Sequence, residues 1–165
     1  MNAEPSQKLN VEILPVLLPL APELAGIHAE CFGAECWSIS QMLGSLMLIT
    51  TQGWVAMADD QIAGFILFQG TGEELEVLTF CVRPAIRRQG IAESLLRHMQ
   101  NNLPPGGVVH LEVAADNNAA RGLYEKCGFA IVNTRKDYYR RGEGWADAVC
   151  YHYAAAGEKT GNLQA

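Results

Sequence analysis

A short turn between a strand pattern and a helix pattern constrains this chain more than any other segment. Residues 77–82 (Val-Leu-Thr-Phe-Cys-Val) form a largely apolar run, and a helical pattern of apolar residues begins at Ile91. The turn between them contains two arginines and one glycine, Gly90. A helix that begins at such a turn directs several backbone N–H groups outward at the positive end of its dipole. The segment therefore predicts an anion-binding turn, and the two arginines favour a diphosphate.

Two other phosphate-binding motifs do not fit these residues. A Walker loop requires a Gly-Lys pair, and the sequence contains none. A dinucleotide-binding fingerprint requires three glycines after the first strand, whereas this turn has Gly90 alone and lies in the middle of the chain. Composition alone leaves a second interpretation open, in which the turn is only the start of a helix.

Longer strings around the turn resemble a known superfamily. Arg87, Gly90 and Ala92 fill the fixed positions of the motif Gln/Arg-x-x-Gly-x-Gly/Ala, which binds pyrophosphate in the GNAT superfamily of acetyl-CoA-dependent N-acetyltransferases. Residues 111–113 (Leu-Glu-Val) are similar to the next strand of that superfamily. Residues 117–129, which end in Leu-Tyr-Glu-Lys-Cys-Gly-Phe, are similar to its next helix and form the more specific match.

One branch of the superfamily is most similar. Residues 135–139 (Arg-Lys-Asp-Tyr-Tyr) and residues 147–148 (Asp-Ala) resemble the RimI branch, the ribosomal-protein-alanine N-acetyltransferases. The resemblance extends from about residue 74 to residue 153. Before residue 74 it is faint, and that region forms one wall of the acceptor cleft in the branch.

Periodicity and turn residues predict a chain in which strands precede, separate and follow helices. A mixed sheet with helices on both faces is expected from this order. The resemblance implies an α+β GNAT-like fold, with a mostly antiparallel sheet splayed between its fourth and fifth strands. The predicted strands are residues 9–14, 49–58, 62–69, 74–82, 108–113, 130–138 and 146–153, and the predicted helices are residues 19–32, 38–48, 91–102 and 118–127.

Local signals fix several ends of these elements. Ser38 and Gln41 have the spacing of a capping box, and Asp59-Asp60 is typical of a hairpin turn. A length of 165 residues fits one domain. We therefore expect a single acetyltransferase domain over residues 9–153, with flexible ends at residues 1–8 and 154–165.

The resemblance also assigns residues to acetyl-CoA, the implied cosubstrate. Backbone groups of the fourth strand would hold the pantetheine arm, and the turn would hold the diphosphate. Asn117 would meet the pantetheine, although it is equally well placed as the N-cap of the helix that follows. The implied binding residues are Phe80, Cys81, Val82, Arg87, Arg88, Gln89, Gly90, Ile91, Ala92 and Asn117.

Two residues are implied to be catalytic. Glu112 interrupts an apolar strand, so its carboxylate faces either water or a polar cavity, and the resemblance makes it the base that accepts the amine proton. Tyr124 aligns with the tyrosine that donates to the leaving sulfur. Each has a structural alternative: Glu112 as a surface glutamate and Tyr124 as a core tyrosine.

His110 lies two residues before Glu112 on the same strand face. It either adjusts the properties of that carboxylate or is an ordinary half-buried histidine.

The acceptor is assigned by the resemblance alone. Enzymes of the RimI branch acetylate the N-terminal alanine of a small-subunit ribosomal protein, and Trp37, Tyr138 and Tyr139 are the implied acceptor-binding residues. Two other functions stay open: acetylation of a lysine or a small-molecule amine, and acetyl-CoA binding without turnover. Retention of both Glu112 and Tyr124 counts against the second, since a binding module needs neither.

Composition excludes several classes of protein. A net charge of −6 argues against a broad nucleic-acid surface, although residues 135–141 carry a local basic cluster expected to be a solvated hairpin tip. The five cysteines match no metal or redox spacing, so we expect no metal and reduced, buried thiols. No apolar run is long enough to span a membrane and no signal-peptide pattern is present, so a cytoplasmic protein is expected. Oligomeric state is not readable from the sequence.

Overall fold

The computed structural model describes residues 9–157. Of the two ends expected to be flexible, residues 1–8 and residues 154–165, the first and the last eight residues of the second lie outside the described residues. Residue 154 is the last residue of a strand. Short 3-10 helices occupy Leu18–Leu20, Gly33–Glu35 and Pro84–Ile86. The strands and α-helices, in chain order, are β1 (Val11–Pro15), α1 (Ala21–Phe32), α2 (Ile39–Leu46), β2 (Thr51–Ala58), β3 (Gln61–Thr71), β4 (Glu74–Val82), α3 (Ile91–Asn101), β5 (Val108–Ala114), α4 (Asn118–Lys126), β6 (Ala130–Arg141) and β7 (Gly144–Ala154).

The strands form a mixed sheet with the order β1-β2-β3-β4-β5-β7-β6. The pairs β1–β2, β5–β7 and β6–β7 are antiparallel, whereas β4 and β5 are parallel. The β4–β5 ladder covers three register positions, from Glu74 opposite Val108 to Glu76 opposite His110. Among the described residues it does not continue beyond them. The predicted fold class is therefore confirmed, including the splay between the fourth and fifth strands.

One compact unit combines residues 9–66 with residues 80–95. Its part of β3 is buried from Ile62 to Ile66, as expected for a strand covered on both faces. The predicted capping box is confirmed, because Ser38 Oγ accepts from the Gln41 N–H at 3.2 Å and Gln41 Oε1 accepts from the Ser38 N–H at 2.8 Å. The Asp59-Asp60 turn is also confirmed, with φ values of 48° and 62° that suit a hairpin.

The other compact unit combines residues 67–79 with residues 96–157. Buried side chains of β5 and β7, such as Leu111 and Tyr151, form its core with those of α3 and α4. The end of α4 is held by Gln100, whose Nε2 donates to the carbonyl of Cys127 at 2.7 Å. Gly128 then ends the helix with a φ of 86°, a conformation that favours glycine.

Several predicted boundaries are wrong by a few residues. The first strand begins at Val11 rather than at residue 9. The second begins at Thr51 rather than at residue 49, because residues 48–51 form a turn in which the Thr51 N–H donates to the Leu48 carbonyl. The sixth strand runs to Arg141 and the seventh begins at Gly144, so this hairpin is longer than predicted. Strand ends depend on pairing partners, which sequence patterns do not show.

Replacing Gly64 with alanine is expected to destabilise the protein. A Cβ at this position would lie 2.5 Å from the carbonyl oxygen of Cys81, so the two strands would have to separate. The expected loss in free energy of unfolding is about 1–3 kcal/mol, measured by denaturant titration. Gly44 is the matched control: it lies within α2 with open space around it, so Gly44→Ala should stabilise by about 0.5–1 kcal/mol. Equal stability of the two variants would contradict the tight approach at Gly64.

Candidate active site

The turn before α3 has the backbone of an anion site. Arg88 and Gly90 both have positive φ values, 66° and 81°. As the helix begins, the Ser94 N–H donates to the Gly90 carbonyl at 3.0 Å. Backbone N–H groups at the N-terminus of a helix point along its axis, away from the helix body. A Cβ built at Gly90 would meet no atom within 4 Å. The turn is therefore open on its outer side, and its shape fits a phosphate group.

Arg87 is tied to the end of β4. Its Nε donates to the carbonyl oxygen of Val82 at 3.0 Å, and the thiol of Cys31 donates to the same oxygen at 3.4 Å. The carbonyl oxygen of Val82 therefore already accepts hydrogen bonds from two side chains of this protein. The remaining guanidinium nitrogens of Arg87 are the atoms that could meet an anion.

Cys31 and Cys81 form a thiol pair beside Arg87. The hydrogen bond from Cys81 lowers the pKa of Cys31 to about 7, and Arg87 adds to this effect. The same hydrogen bond, together with burial, raises the pKa of Cys81. All five cysteines are free, but Cys31 and Cys36 are partly exposed, so the expectation that every thiol is buried is wrong for these two.

Trp37 is positioned by a residue that sequence reasoning missed. Its backbone N–H donates to Nδ1 of His28 at 3.1 Å, and the two rings stack with centroids 5.3 Å apart. His28 is buried on α1, and burial lowers its pKa, so the neutral ring accepts this bond at neutral pH. No pattern in the sequence connected this histidine with Trp37.

Glu112 lies at the centre of a polar cluster on β5. Its Oε1 is 3.1 Å from Nη2 of Arg135 on β6, and it accepts a weak hydrogen bond from the thiol of Cys150 on β7 at 3.6 Å. The Glu112 side chain is 24% exposed, so the carboxylate is half-buried and its charge is balanced by the arginine. Burial, followed by the charge of Glu112, raises the pKa of Cys150 and keeps this thiol protonated.

Strand register decides which side chains share a face with Glu112. Glu112 is opposite Cys150, Arg135 is opposite Ala148, and Tyr139 is opposite Ala146. Directly opposed residues point to the same face, and alternate residues of one strand do so as well. Glu112, Arg135 and Tyr139 therefore project from one face of the sheet. Burial first, and then the charge of Glu112, raises the pKa of Tyr139.

Tyr124 packs against the opposite face. Its ring lies 5.8 Å from that of Tyr151, which opposes Leu111 and so points away from the Glu112 side. Burial, with smaller contributions from Tyr139 and Tyr151, raises the pKa of Tyr124, and the phenol stays protonated at neutral pH. The ring of Tyr124 thus packs on the face opposite the Glu112 carboxylate, and Tyr139 is within electrostatic range of both residues.

Asn117 and His110 have structural partners. Oδ1 of Asn117 accepts from the Ala120 N–H at 3.1 Å, so this residue is the N-cap of α4, and its amide nitrogen is the atom that could donate to a ligand. Nε2 of His110 lies 3.0 Å from Oε1 of Glu74, so the histidine pairs with that carboxylate rather than with Glu112.

Three residues of the basic cluster in the β6–β7 hairpin are paired with acidic residues. Arg135 pairs with Glu112, Nζ of Lys136 lies 2.8 Å from Oδ2 of Asp147, and Arg141 contacts Asp116. The cluster is therefore not a purely solvated tip. Sequence reasoning assigned no role to Arg135 or Asp147. In the sequence, the only indication of a role was that both residues lie in the segments that resemble the RimI branch.

Two general features of residues 9–157 bear on function. No helix there is both long enough and apolar enough to cross a membrane. The same residues contain no group of three or more histidine, cysteine or acidic side chains arranged to hold a metal ion.

Comparisons with known proteins point to one family. Residues 23–129 match the family described as Acetyltransferase (GNAT) family. A ribosomal protein bS18-alanine N-acetyltransferase of Salmonella typhimurium strain LT2 is 38% identical over 94 residues, which are 56% of this chain and 64% of that protein. N-alpha-acetyltransferase RimI of Mycobacterium tuberculosis is 48% identical over 67 residues, which are 41% of this chain and 42% of that protein. The chain thus spans less than two thirds of the length of these curated relatives.

A solved structure extends the likeness to almost the whole chain. The crystal structure of the ribosomal-protein-S18-alanine N-acetyltransferase from Escherichia coli matches with a TM-score of 0.82 at 26% sequence identity. The match covers 91% of this chain and 98% of that one. Because the match leaves out less than a tenth of the chain, it extends well into the region before residue 74, where the sequence resemblance is faint.

Alkylation of Cys31 is expected to depend on pH with a midpoint near its lowered pKa of about 7, because the thiolate is the reacting form. The measurement is the rate of iodoacetamide labelling at Cys31, followed by peptide mass spectrometry from pH 5.5 to 9.5. In Cys81→Ala the hydrogen bond is lost, so the midpoint should move up toward the ordinary thiol value of about 8.5. Cys36→Ser is the control and should leave the midpoint unchanged. A midpoint above 8 in the unmodified chain would contradict the thiol pairing.

Proposed function

The chain belongs to the GNAT family of acetyltransferases, and we propose that it transfers an acetyl group from acetyl-CoA to the α-amine of an N-terminal alanine in a ribosomal protein or a similar protein. One observation carries this proposal. Glu112, a half-buried carboxylate, shares a sheet face with Tyr139, whereas the protonated Tyr124 packs on the other face. This arrangement provides a proton acceptor on one side of the sheet and a hydrogen-bond donor on the other.

The turn before α3 is the proposed site for the diphosphate of acetyl-CoA. Its outward backbone N–H groups, the open space at Gly90 and the charges of Arg87 and Arg88 fit that group. Acetyl-CoA supplies an activated acetyl group, whose transfer forms an amide and releases a thiol. The chain must therefore bind the diphosphate, accept a proton from the amine and stabilise the departing sulfur.

Glu112 is the proposed acceptor of the amine proton, directly or through one water molecule. Its ion-pair partner, Arg135, and its hydrogen-bond donor, Cys150, fix the direction of the carboxylate. A fixed carboxylate suits general-base catalysis because geometry limits proton transfer before basicity does. Tyr139 on the same face, and the exposed Tyr138 beside it, form the proposed wall for the acceptor.

Tyr124 is the proposed partner of the leaving sulfur. Because its pKa is raised, it remains a phenol over the physiological range and is a weaker acid than a thiol. Its role is therefore to donate a hydrogen bond to the sulfur as negative charge develops there, rather than to transfer its proton.

The ordinary pKa values of the two kinds of amine favour an α-amine over a lysine as the acceptor. An α-amine titrates near 8, so roughly a tenth is neutral at pH 7, whereas a lysine near 10.4 is neutral in well under about one per cent of molecules. A carboxylate in water-accessible surroundings is sufficient for the first and poor for the second. The names of the Salmonella and Escherichia relatives, which are alanine N-acetyltransferases of a ribosomal protein, support the same acceptor. Since ribosomal proteins are made in the cytoplasm, the proposal also implies a cytoplasmic enzyme.

Competition between three amines should reveal the acceptor. A short peptide with N-terminal alanine is expected to react faster than the same peptide with a blocked α-amine and a free lysine, and faster than a polyamine. The measurement is release of free thiol from acetyl-CoA, with mass spectrometry to locate the acetyl group. Faster reaction of the lysine peptide or the polyamine would show that the acceptor is a lysine or a small-molecule amine instead. Binding of acetyl-CoA by calorimetry without thiol release from any amine would favour a binding module.

Removal of the Tyr124 hydroxyl is expected to slow the chemical step. Tyr124→Phe should lower kcat by roughly ten- to a thousandfold, the range for one well-placed hydrogen-bond donor, with little change in acetyl-CoA affinity. Tyr151→Phe is the matched control. Its hydroxyl bonds to Glu125 at 2.9 Å and to Arg121 at 3.2 Å, so its loss should reduce stability while kcat stays within threefold. If Tyr124→Phe leaves kcat within a factor of two, this tyrosine is a core residue only.

A further inference from the structure

The β6–β7 hairpin contains a bulge beside the proposed acceptor wall. Arg135 is opposite Ala148, and Tyr139 is opposite Ala146. Asp147 therefore faces three residues of β6, residues 136–138, instead of one. A bulge of two extra residues keeps Arg135 and Tyr139 on the same face while it bends the strand between them.

The carboxylate of Asp147 closes this bulge with both of its oxygens. Oδ1 accepts from the Asp137 N–H at 3.0 Å, and Oδ2 lies 2.8 Å from Nζ of Lys136. Asp137 has a φ of 50°, a conformation that costs energy for a side chain other than glycine and must be held by its surroundings. Lys136 and the Asp137 N–H lower the pKa of Asp147, so the carboxylate is charged at neutral pH.

The backbone of Asp147 connects the bulge to the strand that carries Glu112. Its carbonyl oxygen accepts from the N–H of Ala115 at 2.8 Å, directly after the end of β5. One residue thus bonds to the bulge through its side chain and to the end of β5 through its main chain. Glu112 lies three residues before Ala115 on this same stretch.

The bulge presents aromatic and charged groups next to Glu112. The rings of Tyr138 and Tyr139 meet edge to face at 5.1 Å, and Cζ of Arg135 lies 5.5 Å from the centre of the Tyr138 ring. Arg135 also pairs with Glu112. The positions of both tyrosines relative to the proposed base therefore depend on the shape of residues 136–138.

We propose that Asp147 is a positioning residue for the acceptor, because its carboxylate holds the bulge that places Tyr138 and Tyr139 beside Glu112. The inference rests on the proposed function, since it assigns these tyrosines to a peptide N-terminus. The bond to the Asp137 N–H is the important one. Lys136 is 82% exposed, and an ion pair in that setting contributes little.

Three substitutions separate the two bonds. Asp147→Ala removes both, Asp147→Asn keeps an oxygen that can accept from the Asp137 N–H, and Lys136→Met removes the ion pair alone. Asp147→Ala should raise KM for the alanine peptide by about tenfold or more, with KM for acetyl-CoA within twofold of the unmodified chain. Asp147→Asn and Lys136→Met should each stay within about threefold for the peptide. Glu74→Gln, which breaks the exposed pair with His110 at the other end of β5, is the control and should change neither constant.

Amide hydrogen exchange at Asp137 gives a readout independent of activity. Exchange at this position should be slow in the unmodified chain and in Asp147→Asn, and fast in Asp147→Ala. The positioning role is wrong if Asp147→Ala leaves the peptide KM within twofold, if both KM values rise together, or if Asp147→Asn behaves like alanine. Lack of activity of the unmodified chain toward every amine would instead overturn the proposed function, and with it the assignment of these tyrosines to an acceptor.

Discussion

The short parallel ladder between β4 and β5 is the constraint on which the rest of this structure depends. Only three register positions pair, and among the described residues the two strands then separate. Backbone groups beyond Glu76 and His110 must therefore find partners other than the neighbouring strand. The proposed acceptor of the amine proton, Glu112, and the proposed partner of the leaving sulfur, Tyr124, lie on opposite faces of this sheet.

Strand alternation explains how the polar cluster around Glu112 is built. An acidic residue in a largely apolar strand is costly to bury unless its charge is paired. The register places Arg135 and Cys150 on the face of Glu112, where one balances the charge and the other donates a weak hydrogen bond. The carboxylate keeps partial access to water. It is therefore held in one direction without being sealed in the core, which is the condition that a proton acceptor requires.

The two proposed binding regions use different kinds of groups. The turn before α3 relies on the main chain, because its N–H groups and the open conformation at Gly90 are set by local geometry. The acceptor wall relies on side chains of a bulged hairpin, which are set by pairing between distant strands. Cosubstrate binding should accordingly tolerate changes in the hairpin, and acceptor choice should be sensitive to them.

The sequence by itself determined the features that local chemistry controls. The capping box at Ser38, the Asp59-Asp60 hairpin and the strand–turn–helix segment around Gly90 follow from backbone preferences over a few residues, and the fold class follows from the order of such elements. The position of Glu112 on its strand was also readable. Its pairing with Arg135, the bulge closed by Asp147 and the bond from Trp37 to His28 were not. These contacts join residues brought together by strand register and helix packing. Only the tertiary structure decided them: a one-residue shift in strand register would turn Glu112 or Arg135 to the other face, and the bond from Trp37 to His28 depends on how α1 packs.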